Sequence, residues 1–406
     1  MPTKQPAAKG PLAGIRVIDM TTVLMGPVAT RILGDYGADV IKIEAPDGDI
    51  MRKAPPMRHE GMGAVYLNCN RNKRSVVLDV RQAEGRAVLL KLLAGADVLV
   101  SNIRPAAMRR LKLDYADVAA VNPRIVYASL VGFRQDGPYA AKPAYDDLIQ
   151  GACGLAALFQ RVGGEPLYVP SLLADRIVGI SAVHAILAAL FHRERSGEGQ
   201  LVEVPMFETM AEQVLGDHLG GLTFEPRLGP TGYERLLSAN RRPCKTKDGY
   251  IAMLVHSDRQ WEAFFTAVGR EHEFRENPKL HDIDVRVRHY DEVYGMVGAI
   301  VATRTSAEWL EIFEKADIPA MPLHDVEGLM HDPQLQATRF IAAVEHPSEG
   351  PLRTTAPAAR FSRTPQDMRA PAPRLGEHSR EVLLEAGYTG AEIDALIAGG
   401  TIAAAD

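Results

Sequence analysis

The sequence predicts an α/β protein in which a large domain is built on a parallel sheet and a second domain is smaller and α+β. Short segments rich in Val, Ile and Leu recur along the first half of the chain, and helix-like segments separate them. Nearly continuous apolar strands of this kind are typical of parallel sheets that are covered on both faces. The 406 residues, 46% hydrophobic and 24% charged, are enough for two or three globular domains.

The strands and helices of the large domain follow one another in a regular pattern. Residues 15–20 form a mostly apolar run that stops at two threonines, as a buried strand does. Gly26 and Pro27 open a helix over 28–33, because proline's fixed φ and missing N–H suit a first helical turn. Further strands are predicted at 38–44, 75–80, 96–100 and 124–131, and a helix at 83–93. Since parallel sheets bind ligands beyond the carboxyl ends of their strands, segments 21–26 and 101–105 are predicted to face a ligand.

The second half of the chain differs in composition. Between about 224 and 324 Pro, Gly and Arg are dense, and a strand at 249–255 is followed by a helix that begins near Gln260, which indicates the smaller α+β domain. The proline-rich stretch 347–373 is predicted to be extended and to lie on the surface of another element. Helices at 381–386 and 391–397 complete the prediction.

Charge and cysteine usage exclude several classes of partner. With 46 basic and 51 acidic residues the net charge is −5, so no broad cationic face for nucleic acid or an anionic membrane is expected. The apolar stretch 177–191 contains His184 and is shorter than the ~20 residues that span a bilayer, so a buried helix is predicted. Three scattered cysteines, and no apolar signal-peptide core in residues 1–14, predict a cytoplasmic protein.

Common cofactor and hydrolase motifs do not occur in the sequence. The 12 histidines form no HExxH or clustered Cys/His pattern, so no metal is expected. Without GxGxxG or a Walker lysine motif no nucleotide cofactor is expected, and without GxSxG a serine hydrolase is not supported.

Asp175 is the candidate catalytic residue. It precedes the apolar helix, and the positive end of a helix dipole favours a first-turn carboxylate by about 0.3–1 kcal/mol. We therefore expect Asp175 to be ionised, and an ionised carboxylate can attack an activated acyl group. The alternative, which the local sequence alone favours, is an acidic residue that merely starts a helix.

Two basic segments have the composition of phosphate sites. Residues 70–75 place three cations just before a strand, and Arg104, Arg109 and Arg110 flank Pro105 at a helix start. Phosphates bind to cations and to helix N-terminal amides. A solvated basic edge is the alternative, which the residues alone favour.

Ten short segments in a fixed order carry a family resemblance. They include PLAGIRVID at 11–19, GADVIKIE at 37–44, ADVLVSN at 96–102, LAD at 173–175 and HRERSGEGQ at 192–200, with shorter pieces at 26–27, 72–75, 122–124, 145–146 and 375–378. Together they resemble the class III CoA-transferases, the group of formyl-CoA transferase and carnitine CoA-transferase, with alpha-methylacyl-CoA racemase as a related branch. The resemblance extends along nearly the whole chain.

This resemblance implies a covalent mechanism at Asp175. The carboxylate attacks a donor thioester and gives a mixed anhydride and CoA thiolate; the thiolate returns to form an aspartyl-CoA thioester, from which a carboxylic acid receives CoA. One thioester is exchanged for another, so no ATP is required. The implied ligand is coenzyme A, as substrate and product, with an acyl-CoA and a free carboxylic acid as partners.

The resemblance also implies binding residues and an architecture. Carried over position by position, the CoA contacts are Val23, Leu24, Leu78, Asp79, Val80, Arg81, Asn102, Ile103, Arg104 and Arg110, with Tyr145 near the acyl end. The implied architecture is a Rossmann-like large domain formed by residues 1–224 and a return segment 326–406, a small domain at 225–325, and an interlocked homodimer.

The sequence departs from the family pattern at three places. Ala45 stands where formyl-CoA transferase has an arginine, so that contact is absent or comes from another residue such as Arg52. The glycine-run loop of formyl-CoA transferase is missing between Tyr233 and Asp248, which favours a larger acyl group than formyl or oxalyl. Tyr145 stands where the racemases have a histidine.

That tyrosine separates two candidate functions. Tyrosine ordinarily titrates near pH ~10 and histidine near ~6.5, so tyrosine is the poorer group for moving an α-proton at neutral pH. The substitution favours CoA transfer over racemisation of a 2-substituted acyl-CoA, which stays the enzymatic alternative. A protein that binds acyl-CoA without catalysis is the alternative from another class.

Overall fold

The computed structural model describes residues 9–405, so most of the amino-terminal tail in which we expect no signal peptide lies outside the described residues. The chain divides into two compact units. The larger contains the residues up to Cys153, Val169–Ala211 and the residues from Gln334 onward, and the smaller contains Gly154–Tyr168 and Glu212–Pro333. Composition gave no reason to assign 154–168 to the smaller unit.

A seven-stranded sheet forms the centre of the larger unit. Its order is β12-β3-β2-β1-β4-β5-β6, and its strands are β1 Arg16–Met20, β2 Asp39–Glu44, β3 Lys73–Leu78, β4 Val98–Ser101, β5 Val126–Val131, β6 Gln200–Pro205 and β12 Ile402–Ala403. The first six are parallel, and β12 is antiparallel to β3. The predicted α/β class with a parallel sheet is confirmed, and the ends of the predicted strands of this sheet differ by two residues or fewer.

Helices cover the sheet, and their apolar faces form its core. The helices of the larger unit are α1 Met25–Asp35, α2 Ala64–Cys69, α3 Ala83–Ala94, α4 Pro105–Arg110, α5 Tyr115–Val121, α6 Asp146–Ala152, α8 Leu173–Ser196, α17 Ser379–Glu385 and α18 Gly390–Ala398, with a 3-10 turn at Ile50–Lys53. One core cluster joins strand residues such as Ile18 and Leu99 to Leu89 of α3, Val118 of α5 and Leu383 of α17.

Helix α8 is the apolar helix predicted from the sequence, and it packs closely on α1. Gly179 permits this approach, because a Cβ there would lie 2.7 Å from the Met25 carbonyl oxygen. In the described part of the chain α8 alone is long and apolar enough to cross a membrane, and 50% of its most apolar window is buried within the protein. Val178, Ala182, Ile186 and Ala189 are among its buried residues.

The smaller unit contains a three-stranded antiparallel sheet packed against helices. The strands are β7 Cys244–Lys245, β8 Tyr250–Met253 and β9 Ala320–Pro322, and the helices are α7 Leu155–Arg161, α10 Asp258–Ala267, α11 Glu271–Glu276, α12 Ile283–Arg286, α13 Tyr290–Val301, α14 Ser306–Lys315 and α15 Val326–Leu329. Helices α9 Met206–His218 and α16 Pro333–Ala337 contain boundaries between the units. Five buried aromatic rings lie in the core of this unit: Trp261, Phe264, Phe265, Trp309 and Phe313. Its strand and helix content agrees with the predicted α+β character.

The proline-rich return segment is extended, as predicted, but part of it forms a hairpin that was not predicted. Strand β10 Ile341–His346 pairs antiparallel with β11 Gly350–Thr355. Beyond the hairpin, the backbone N–H groups of Arg369 and Ala370 donate to the Asn72 side chain, and the Pro373 carbonyl accepts from Tyr66 Oη. These hydrogen bonds hold the segment along the larger unit.

The basic run at 70–75 is buried, so both sequence interpretations of it are wrong. Arg71 pairs with Asp35 at 2.7 Å, Lys73 with Asp19 at 3.0 Å and Arg74 with Asp39 at 2.8 Å. The sequence around residues 70–75 gave no sign that acidic residues on β1, α1 and β2 would form ion pairs with these cations.

The Lys73–Asp19 pair is fully buried and charged at neutral pH. Burial alone would raise the pKa of Asp19, but Lys73, Lys42 and hydrogen bonds from Thr21 and Thr30 lower it to about 2. Burial lowers the pKa of Lys73 to about 8, although the attraction of Asp19 opposes this. The two groups therefore depend on each other for compensation of their lost hydration.

We predict that Lys73→Met lowers the free energy of unfolding by about 3–5 kcal/mol, because it leaves the Asp19 carboxylate buried without its cation. Urea unfolding followed by circular dichroism measures this change. Lys315→Met is the matched control, since Lys315 forms an exposed ion pair with Glu311 and its loss should leave the urea midpoint nearly unchanged. Equal midpoints for the two variants would contradict the prediction.

Candidate functional site

The two segments predicted to face a ligand meet at the carboxyl edge of the sheet. They follow β1 and β4, which are neighbouring parallel strands. The Asn102 side chain joins them: its Oδ1 accepts from the Thr22 N–H at 3.0 Å and its Nδ2 donates to the Thr22 carbonyl at 2.8 Å. One amide thus satisfies both backbone groups of Thr22 and fixes the separation of the two loops.

Buried charges determine the shape of the first loop. Asp19 accepts hydrogen bonds from the Thr21 N–H at 2.9 Å and from Thr21 Oγ1 at 2.5 Å. Lys42 Nζ donates to the Thr21 carbonyl at 2.7 Å, and Asp49 accepts from the Val23 N–H at 3.1 Å. Val23 has a φ of 70°, an unfavourable conformation for a β-branched residue, so the surrounding hydrogen bonds must hold it there.

These loops border a cavity of about 220 Å³ that also contains the candidate nucleophile. Seventeen residues of the larger unit line it: Thr22, Val23, Met25, Asn102, Arg104, Pro105, Leu130, Val131, Gly132, Gln135, Ala140, Lys142, Pro143, Ala144, Tyr145, Asp175 and Met206. A Cβ at Gly132 would lie 2.3 Å from the Ala144 Cβ, so glycine is required where these two segments meet. Asp175 is therefore accessible from the cavity that the predicted ligand-facing loops form.

Asp175 lies in the first turn of α8, as expected from the sequence, but its surroundings oppose ionisation. Its exposed fraction is 8%. Burial, followed by the charge of Asp146, raises its pKa to about 6, and Arg176 opposes this shift. The small favourable effect of the helix dipole does not prevent this rise, but a pKa near 6 still leaves about ten ionised groups for each protonated one at pH 7, so the expected ionised state is compatible with the structure. A partly desolvated, ionised carboxylate is a suitable nucleophile.

The structure places four of the predicted CoA contacts on this cavity and the others elsewhere. Val23, Asn102, Arg104 and Tyr145 line it. The side chains of Leu24 and Leu78 are buried in the core, and Ile103 and Arg110 are outside the lining. Asp79 and Arg81 form an ion pair with each other at 2.8 Å, and Val80, partly buried, packs against the core.

Arg52 is not free to replace the arginine that is missing at Ala45. Its side chain is 1% exposed, its Nη2 lies 2.7 Å from Glu44 Oε2, and its guanidinium stacks on the Tyr66 ring at 3.8 Å. The expectation that Arg52 could supply a nucleotide contact is therefore wrong for this arrangement. Nothing in its spacing from Glu44 revealed that the two residues would pair.

Sequence reasoning missed several residues of the cavity. Gln135, Lys142 and Met206 line it without having been singled out. Lys142 lies over the Tyr139 ring at 3.8 Å, and neither Lys142 nor Arg104 forms an ion pair within the described residues. Two cations on the same cavity as a buried carboxylate suit an anionic ligand, because they attract its charge. The only sequence signal for Lys142 was its position between the Gly137-Pro138 turn and Tyr145.

Comparison with known proteins identifies the family of this chain. The family model described as CoA-transferase family III matches residues 12–379. The succinate–glutarate CoA-transferase of Agrobacterium fabrum is 32% identical over 94% of this chain and 97% of that protein. The formyl-CoA:oxalate CoA-transferase of Escherichia coli is 32% identical over 95% of this chain and 98% of that protein.

A solved structure extends the similarity to three dimensions. A CAIB/BAIF family protein from Brucella suis superposes with a TM-score of 0.79 at 29% identity, covering 93% of this chain and 100% of that one. Sequence and fold agree along nearly the whole length, and the chain is a member of CoA-transferase family III.

Proposed function

We propose that this enzyme moves CoA from an acyl-CoA to a free carboxylic acid through covalent intermediates on Asp175. Membership of the family supports CoA transfer between acyl-CoA and acids. The observation that carries the finer proposal is the position of Asp175: a buried carboxylate on the same cavity as Val23, Asn102, Arg104 and Tyr145. No other carboxylate lines that cavity in the described part of the chain.

The proposed first step forms one bond and breaks one. An Asp175 oxygen adds to the thioester carbonyl carbon, the C–S bond breaks, and the electron pair leaves with the CoA thiolate. The thiolate then attacks the aspartyl carbonyl of the mixed anhydride and releases the donor acid, and the acceptor carboxylate repeats the sequence in reverse. Arg104 and Lys142 attract the anionic substrates to this position.

The nature of the acyl group is part of the proposal. Relatives whose names specify succinate with glutarate and formyl-CoA with oxalate are similarly distant from this chain. The absence of the glycine-run loop between Tyr233 and Asp248 supports acyl groups larger than formyl or oxalyl. A panel of acyl-CoA donors and carboxylic acids, analysed by mass spectrometry, would identify the pair.

We also propose that the enzyme is a cytoplasmic, interlocked homodimer. The family resemblance supports the interlocked arrangement. The outer face of α8 carries Ile180, 56% exposed, and Phe191, 66% exposed, and large apolar side chains on one helix face are typical of protein interfaces.

Asp175→Asn should abolish the exchange of labelled CoA into acyl-CoA, by about 1000-fold or more, because the neutral amide is a poor nucleophile. Binding of CoA, measured by calorimetry, should be retained. Asp147→Asn is the control, since Asp147 is an exposed acid that does not line the cavity. Equal exchange in Asp175→Asn and the wild type would remove Asp175 from its role.

The racemase alternative has its own measurement. Solvent deuterium should not enter the α-carbon of a 2-substituted acyl-CoA during turnover, because Tyr145 replaces the histidine of the racemases. Proton NMR of the recovered acyl-CoA detects such exchange. Rapid incorporation without transfer to an acid would favour the racemase.

The raised pKa of Asp175 predicts a pH-dependent effect on stability. The native state holds the proton more tightly than the unfolded chain, so the wild type loses stability as the pH rises from 3.8 to about 6. Asp175→Asn has no proton to lose and should be more stable above this window, by about 1–3 kcal/mol. Thermal unfolding at pH 4 and pH 7.5 measures the difference, and a variant less stable than wild type at pH 7.5 would contradict the prediction.

The homodimer predicts a sedimentation mass of about twice the 44.2 kDa chain mass. Interlocked chains cannot separate while they are folded, so dilution should leave this mass unchanged until urea unfolds the protein. Analytical ultracentrifugation over a wide range of dilution measures it. A monomer mass in native buffer would exclude the dimer.

A further inference from the structure

The first turn of helix α8 is capped from another helix. Its own N-cap residue, Leu172, makes no side-chain capping hydrogen bond. The Asp175 N–H instead donates to Asp146 Oδ2 at 3.0 Å, and Asp146 is the first residue of α6. First-turn N–H groups have no partner within a helix, and an Asp or Ser at the N-cap usually accepts from them. Asp146 takes that role from 29 residues away.

Asp146 is itself held in place. It is 4% exposed, and its Oδ1 accepts from Gln150 Nε2 at 2.5 Å. Gln150 is fully buried; its Oε1 accepts from the Val169 N–H at 2.9 Å and its Nε2 also donates to the Ser171 carbonyl at 3.3 Å. Gln150 thus connects Asp146 to the segment that enters α8. Both carboxylate oxygens of Asp146 therefore accept hydrogen bonds.

Asp146 Oδ2 lies 3.0 Å from the backbone nitrogen of Asp175, and the charge of Asp146 opposes ionisation of the Asp175 carboxylate. The repulsion raises the free energy of Asp175 as a free carboxylate. It disappears when Asp175 is acylated, because an anhydride or thioester carries no charge. The backbone hydrogen bond from Asp175 to Asp146 does not depend on the state of the Asp175 side chain, so the cap persists through the reaction.

We propose that Asp146 is a positioning residue that caps the helix of the nucleophile and, by its negative charge, favours acylated Asp175 over the free carboxylate. This inference rests on the proposed function of Asp175. Asp146 takes no part in bond making: the Asp175 oxygen forms the new C–O bond, and the breaking C–S bond gives its electron pair to the CoA thiolate.

Few other charges act on Asp175. Arg176 on its own helix has the opposite influence. Arg104 from the β4–α4 loop, and Lys142 and Tyr145 from the segment before α6, line the same cavity. The contributions of α1, β5 and α9 to the lining are uncharged: Met25, Leu130, Val131 and Met206. Removal of the negative charge of Asp146 should therefore affect Asp175 more directly than removal of any other negative charge.

Asp146→Asn tests the charge, because asparagine is isosteric and its oxygen can still accept the Asp175 N–H. We expect the acid limb of the kcat/KM profile to move to lower pH by about one unit, and the steady-state fraction of enzyme acylated at Asp175 to fall about fivefold. Acid quenching and peptide mass spectrometry measure this fraction, with the donor that gives the fastest wild-type exchange. Asp147→Asn, one residue away and exposed, should match the wild type in both readouts.

Asp146→Glu separates charge from position and covers the case in which Asp146→Asn does not fold. Its longer side chain keeps the charge but displaces the cap, so kcat should fall about tenfold or more while the acid limb stays in place. The inference is overturned if Asp146→Asn has the acid limb and acylated fraction of Asp147→Asn, or if Asp146→Glu has wild-type kcat. If the wild type itself is never acylated at Asp175, the proposed function fails instead.

Discussion

The cavity that contains Asp175 depends on buried charges that lie beneath it and do not line it. Asp19 and Lys73 are fully buried, and their pairing leaves Asp19 free to accept from both the backbone and the side chain of Thr21. Lys42 holds the carbonyl of the same residue and also pairs with Asp49, which in turn accepts from Val23. The loop is therefore held by groups whose removal would each leave another charge uncompensated. These hydrogen bonds and ion pairs account for the positive φ of Val23 beside the cavity. They hold the loop in this conformation without a bound ligand.

Two glycines allow close contact between this loop, α1 and the helix that carries Asp175. A Cβ at Gly26 would lie 2.3 Å from the Thr21 Cβ, so glycine there allows the start of α1 to fold back on the loop. Gly179 lies one helical turn after Asp175 and allows α8 to approach the Met25 carbonyl. The rigid loop, the start of α1 and the first turn of α8 are thus in direct contact. A substituted glycine at either position would change the distance between this loop and Asp175 without replacing a polar group.

Sequence predicted the sheet well because its strands are nearly continuous apolar runs, and it predicted the place of Asp175 in the first turn of an apolar helix. It failed where function depends on partners distant in sequence. Lys73 and Arg74 were interpreted as surface or phosphate-binding cations because their partners, Asp19 and Asp39, lie on other strands. Arg52 was interpreted as free to contact a nucleotide because the sequence did not indicate its ion pair with Glu44. The hairpin at 341–355 was not predicted because prolines and glycines in this part of the chain are typical of an irregular segment. A strand or a helix produces a periodic pattern in the sequence, whereas an ion pair between residues distant in sequence produces none.

The buried carboxylates of the larger unit differ in their charge partners, and therefore in pKa, at two places. Beneath the loop, each carboxylate has a cation, and the pKa of Asp19 is held near 2. At the start of α8, Asp146 accepts one backbone and one amide hydrogen bond, neither Asp146 nor Asp175 forms an ion pair among the described residues, and the pKa of Asp175 is raised to about 6. A buried ion-pair partner would stabilise ionised Asp175 more than the exposed Arg176 does, and in the proposed mechanism that stabilisation would be lost on acylation. The same residue type thus has a lowered or a raised pKa according to whether a buried cation balances its charge.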